Sequence, residues 1–436
     1  MNRRDFLRIG GLGLCGVGML DLIRAHAPAA GHAAPRAKAK QMIVCWLNGG
    51  PPHLDMFDMK PDLPSNRKSE FKPIPTNVPG LDVGELMPQL AKLADKYTIL
   101  RSVSTLNKPG NHDAGYYWLT GNPRRSTGTE EYPMYGSVVS KLRPGPADLP
   151  TFAAFGVVDW TTQNAIGHSF LGPAHAPFVF DPAKSKDTMT AMLTPQHQLP
   201  AFERNADFLK AIDQGLRRLD GQDELIAGLD QHQQTAFNIL RSPKLREAVD
   251  LAREPAKSVE RFSRLVNPKP RFDDGNPLHF LLARRLIEVG VPVVHFNFGY
   301  WDWHTDLYGS GRRTIPTFDA ALALLLDDLD QRGLLEATIV LALGEMGRIP
   351  GGNSSSHSDH AQFVLCAGGG FKKGCVVGAT DKLGDRVADK FYKIESFGRT
   401  LYHLLGIDPD TIVTTPANRP IKLIAEEAPI IKEAIL

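Results

Sequence analysis

Residues 291–306 read VPVVHFNFGYWDWHTD. The opening VPVVH has the apolar, β-branched character of a buried strand. Just where that strand runs out, the chain sets Asp302, His304 and Asp306 among two tryptophans. An acid, an imidazole and a second acid at the mouth of a sheet call for partners arriving from elsewhere. Which other segments reach that mouth decides the fold.

Similar apolar runs recur as MIVCWL (42–47), YTILRSV (97–103), FAAFGVV (152–158), TIVLAL (338–343) and QFVLCAGG (362–369). Between them, GELMPQLAKLADK, NPLHFLLARRLIEVG and TFDAALALLLDDLDQRG repeat apolar residues at three- and four-residue spacing. That is the period of an amphipathic helix. Strands alternating with helices predict an α/β fold with a mostly parallel sheet and helices on both faces, as a single domain over residues 37–436. The stretch from about 200 to 270 is polar, charged and helical in pattern, and is expected to be a helical insertion packed on the sheet.

In such sheets ligands bind beyond the carboxyl ends of the strands. After MIVCWL come Asn48, His53, Asp55 and Asp58; after YTILRSV come Asn111, His112 and Asp113. TIVLAL is followed by Glu345, Arg348, His357, Asp359 and His360. With the 302–306 stretch this makes four polar clusters after four strands, expected to converge on one site. Imidazoles and carboxylates without cysteine suit a divalent ion such as zinc, manganese or calcium. Asp302 and His304 could reach one ion from their loop, and adjacent Asp359 and His360 could serve one ion or two. Glu345 ends a strand, a place for a ligand or general base, and Arg348 could grip phosphate or sulfate oxygens in fork geometry.

Taken singly, each of these residues has a plainer reading. A loop His or Asp is ordinarily solvated or caps a helix, and Asp113 fits an N-cap. Trp301 and Trp303 suit either packing or sugar stacking. The glycines of LNGGPP and AGGGFKKG match no phosphate-loop pattern, and no G-x-S-x-G elbow is present.

Net charge is only +2 over 436 residues, with no clustered basic stripe, which argues against nucleic acid as a partner. The start, MNRRDFLRIGGLGLCGVGML, resembles a twin-arginine export signal: paired Arg3 and Arg4, then a glycine-rich apolar run too short for a comfortable membrane span. Residues 1–36 are therefore expected to be a leader cut near Ala33 and Ala34, with the Tat translocase as export partner. The mature chain would be periplasmic or extracellular, with no stable membrane span. Of four cysteines, Cys366 and Cys375 flank a plausible hairpin, and a bridge between them or buried free thiols both fit.

Together RRDFLRIG, LNGGPPHLDMFD, EFKPIPTNVPG, NHDAGYYWLTG, LLARRLIEVGV, WDWHTD, GEMGR and GGGFKKGCVVGATD resemble a Tat-exported bacterial family, number 1501 among the domains of unknown function. The likeness runs over nearly the whole chain. That family is similar to the alkaline phosphatase and sulfatase superfamily, which implies a parallel sheet, a metal site at its carboxyl edge, and anionic esters or glycans as ligands. Carried over by position, the resemblance implies metal ligands at Asp302, His304, Glu345 and His360. Asn48 stands nearest the place of the first-strand aspartate, and Asp55 lies further along. It departs at the nucleophile, where Asn111 stands, and where an arginine belongs, which is Gly115. This implies metal-activated water with Glu345 or His112 as base, or a site that binds without turnover.

Overall fold

The computed structural model describes residues 36–105, 112–123, 131–156, 167–180, 239, 242–271, 274–358 and 360–436. Among these, eight strands form one sheet: β1 (Gln41–Trp46), β2 (Tyr97–Leu100), β3 (Phe152–Phe155), β4 (Phe178–Phe180), β5 (Val293–Asn297), β6 (Thr338–Leu343), β7 (Val364–Ala367) and β8 (Cys375–Val377). Their spatial order is β8-β2-β7-β6-β1-β5-β3-β4. All neighbours pair in parallel except β7, which runs against both β2 and β6. The α/β architecture with a mostly parallel sheet is as expected.

The strands read as unbroken apolar runs because both faces are covered. Side chains alternate: Ile43, Cys45, Val294, Phe296, Val340 and Ala342 enter one core, while Met42, Val44, Trp46, Val293 and Leu341 enter the other. Helices α2 (Leu278–Val289) and α3 (Leu307–Gln331) pack on the first face. Helices α1 (Ala114–Thr120) and α4 (Ile394–Leu404) pack on the second.

Two helix expectations shift. GELMPQLAKLADK yields only a short helix, Pro88–Ala91, followed by a 3-10 turn at Ala94–Lys96. Its start is held from outside, since Asp319 of α3 accepts from Gln89 N (2.9 Å) and Leu90 N (2.7 Å). Helix α3 begins ten residues before the TFDAAL pattern and runs through Pro316. Burial of Leu307 and Ile315 outweighs the backbone bond the proline forfeits. Of the 200–270 stretch, helices Pro243–Val249 and Ala256–Ser263 are seen, and the remainder up to residue 238 lies outside the described residues, as does the leader over 1–35.

Cys366 and Cys375 are free thiols. Both lie opposite Thr98, on either side of β2. Two interstrand steps of about 4.8 Å separate them, beyond the ~7 Å reach of a disulfide. Among the described residues no helix is long and apolar enough to cross a membrane.

Candidate functional site

The parallel register assembles the site. Trp46 of β1 pairs with Asn297 of β5 and with Leu343 of β6, so all three strands end side by side. Their continuations leave the sheet at one rim. Because β7 runs the other way, the segment leading into it, with His360 and Gln362, meets the same rim. The close approach depends on Gly49, at φ +103°: a Cβ there would collide with the backbone nitrogen of Asp302. Gly50, at φ +90°, would likewise strike Met346 Cγ at 2.7 Å.

Asp302 is the hub. Its Oδ1 is 3.1 Å from His357 Nε2, 3.1 Å from His304 Nε2, and bonded to an Arg348 terminal nitrogen. Its Oδ2 is 3.3 Å from His112 Nε2 and accepts from Tyr300 Oη at 3.2 Å. Three imidazoles thus turn the same ring nitrogen toward one carboxylate. Two are braced at the other nitrogen: His112 Nδ1 lies 2.8 Å from Glu345 Oε1, and His304 Nδ1 lies 3.1 Å from the Ser355 carbonyl. Glu345 Oε1 also accepts from Gly49 N at 2.8 Å, tying the loop after β1 to the loop after β6.

Burial opposes the charge on Asp302, yet bonds from His112, His357 and Arg348 overcome it and hold the carboxyl far below the usual carboxylate range. Burial also opposes a charged His112, but Asp302 and Glu345 on either side push its pKa up to about 9. The arrangement is a carboxylate ringed by nitrogens of Arg348, His112, His304 and His357.

A divalent ion fits this cage. Ligand atoms of His112, Asp302 and His357 lie within 4.8 Å of one another. The rings of His304 and His112 flank that of His357, with centroids 4.9 and 5.1 Å away. Imidazole and carboxylate donors suit zinc, and a ligating histidine whose second nitrogen meets a carboxylate or carbonyl is oriented as metal sites require. One feature competes: Arg348 already neutralises Asp302.

The expected residues divide accordingly. Asp302, His304, Glu345 and His112 come together. Arg348, expected to grip an anion, is instead fully buried and turned inward. Its fork reaches the carbonyls of Gly49 and Gly50, Ser355 Oγ and Asp302, so it clamps the site from behind. Asn48 is buried, its Oδ1 accepting from Trp46 Nε1 at 3.3 Å and its carbonyl accepting from Trp301 N at 2.7 Å. His360 stands in a pocket beside Glu345 rather than on Asp302. Asp359 and Asn111 lie outside the described residues. Trp301 and Trp303 are buried against each other, their indole N–H groups bonded to the Phe298 and Tyr300 carbonyls. Packing, not sugar stacking, is their role.

Asp55 is not in the cluster. It is 1% exposed on a short 3-10 turn, and neither carboxylate oxygen has a hydrogen-bond partner among the described residues. Burial raises its pKa to about 6. The folded protein therefore holds a proton that the unfolded chain, with a pKa near ~3.9, gives up sooner, so stability falls as pH rises through about 6. Asp55→Asn is expected to leave stability nearly unchanged at pH 4 and to raise it at pH 7, by up to about 3 kcal/mol. Urea denaturation at the two pH values checks this. An equal effect at both would contradict it.

His357, named in the fourth cluster without a role of its own, is placed on Asp302 as a ligand candidate. It sits on a hairpin, Gly347–Gly351 with Ser354–Ser358, directly opposite Arg348. The turn signal PGGN between two short runs was the available clue.

The chain belongs to the family described as protein of unknown function (DUF1501), whose model matches residues 39–435. No curated protein matches it. Among solved structures, the lipoteichoic acid synthase LtaP from Listeria monocytogenes is similar at 11% identity and TM-score 0.37, over 94% of this chain and 79% of that one. An alkaline phosphatase superfamily protein from Vibrio parahaemolyticus is similar at 10% identity and TM-score 0.36, over 89% and 74%. The PsFucS1 sulfatase from Pseudoalteromonas sp. is similar at 11% and 0.33, over 93% and 72%. Likenesses this slight leave reaction and substrate to the site itself.

Proposed function

We propose that this member of the family is an exported, metal-dependent hydrolase of phosphate or sulfate esters, carbohydrate-linked esters included, that works without a covalent Ser or Cys nucleophile. The observation that carries the reading is the convergence of three imidazole Nε2 atoms on Asp302. His112, His357, His304 and Asp302 would hold the ion. A bound divalent ion there supplies Lewis acidity toward an ester oxygen and a more acidic water. Glu345 keeps His112 in register through Oε1, while its Oε2 is free to accept a proton as general base. Arg348 fixes the Asp302 carboxylate, and His360 flanks Glu345 from the pocket side.

The test is hydrolysis of a panel of phosphate and sulfate esters by the purified protein, with ion and after chelation. Ion-dependent turnover lost in Glu345→Gln supports the reading. The competing reading is an anion- or glycan-binding protein on the same fold, favoured by the inward turn of Arg348, which leaves that fork no free donor pair for a substrate anion. Ion bound without turnover on any ester would select it. Export rests on the Arg3-Arg4 leader, and retention of an Arg3→Lys/Arg4→Lys variant inside the cell is the expected result of fractionation.

A further inference from the structure

Glu345 faces two ways. On one side is the histidine cage; on the other is a pocket lined by Ser104, Trp118, Glu345, Ser358, His360 and Gln362, with a volume of about 10 Å³, room for one water-sized group. Four buried polar atoms of this lining have no hydrogen-bond partner among the described residues: Glu345 Oε2, Trp118 Nε1 and both amide atoms of Gln362. The three side chains are 1%, 1% and 5% exposed. A buried polar group without a partner is destabilising, so four on one lining call for an occupant.

Their chemistry selects it. The Trp118 indole and the Gln362 amide offer N–H donors, while Glu345 Oε2 and the Gln362 carbonyl offer acceptors. A cation leaves the N–H groups unmet, an anion is repelled by Glu345, and an apolar group satisfies none of them. A neutral hydroxyl oxygen both donates and accepts. Both ends of the Gln362 amide are unmet, so it offers one donor and one acceptor group whichever way it is turned.

We propose that this pocket binds neutral hydroxyl oxygens, with Gln362 and Trp118 as the residues that recognise them. The oxygen comes from ordered water or from a hydroxyl of a polyol substrate; only the second source rests on the hydrolase reading. Crystals of the mature protein, free and soaked in galactose, separate the two. In free crystals an oxygen is expected about 2.7–3.2 Å from Glu345 Oε2 or from Gln362. Its replacement by a sugar hydroxyl after soaking identifies a substrate subsite, and its persistence identifies structural water. The same peak should be lost in Gln362→Leu. A dry pocket, or a peak with the anomalous signal of a metal, overturns the proposal. No arm measures turnover or the ion content of the histidine cage, so failure here is distinct from failure of the hydrolase reading.

Discussion

Asp302→Asn is expected to release the divalent ion and to lower ester hydrolysis about a thousandfold. Four other side chains approach this carboxylate besides Arg348, and three of them are imidazoles. An amide in its place keeps the shape but loses the charge that holds both an ion and the guanidinium. Metal charge stabilisation is worth several kcal/mol, and ~1.4 kcal/mol corresponds to each tenfold in rate. Ion content by elemental analysis and turnover on one ester check the variant together. Because Arg348 would be left buried beside a neutral amide, His357→Gln serves as the better-folded companion, expected to lose ion with less loss of stability. Full ion content and turnover within tenfold of wild type in both variants would contradict the assignment.

The second large effect concerns stability. Glu254 is 6% exposed and receives Arg284 on one oxygen and Arg285 on the other. Burial opposes its charge, but the two guanidinium groups hold its pKa below the ordinary value. Arg284 is itself 1% exposed, with Asp328 at 2.9 Å. This network ties the segment between helices Pro243–Val249 and Ala256–Ser263 to α2, and α2 packs on β5, the strand that delivers Asp302. Removing one partner of a buried pair costs about 3–5 kcal/mol because a charge is left behind. Glu254→Ala is expected near the low end, about 3 kcal/mol, since Arg284 keeps Asp328 and Arg285 keeps the Ala248 carbonyl at 2.8 Å. Chemical denaturation reads the loss. A midpoint unchanged from wild type would show that the insertion is not anchored this way.

Much of the fold was legible because a doubly covered parallel strand must be apolar along its length. TIVLAL matches β6 residue for residue. Direction was not legible: β7 carries the same kind of run as its neighbours, and periodicity does not say which way a strand points. The convergence of four loops was readable from the rule that ligands sit at strand carboxyl ends, and the register of β1, β5 and β6 realises it. Individual roles were harder. Arg348 and Asp55 are chemically apt for a site, but burial and orientation decide their work, and a one-dimensional pattern carries neither. His357 stood in the right cluster, but its role as a ligand candidate was not legible because its place depends on hairpin pairing with Arg348, a contact set by the turn between them.

The central claim is that Asp302 and the imidazoles around it grip one cation. Anomalous diffraction from crystals of the protein loaded with zinc tests this most directly. The account predicts a peak about 2.0–2.2 Å from His112 Nε2, His357 Nε2 and an Asp302 oxygen, with Arg348 still bonded to the Gly49 and Gly50 carbonyls. A cage without a peak, or zinc bound only on distant surface residues, would contradict it.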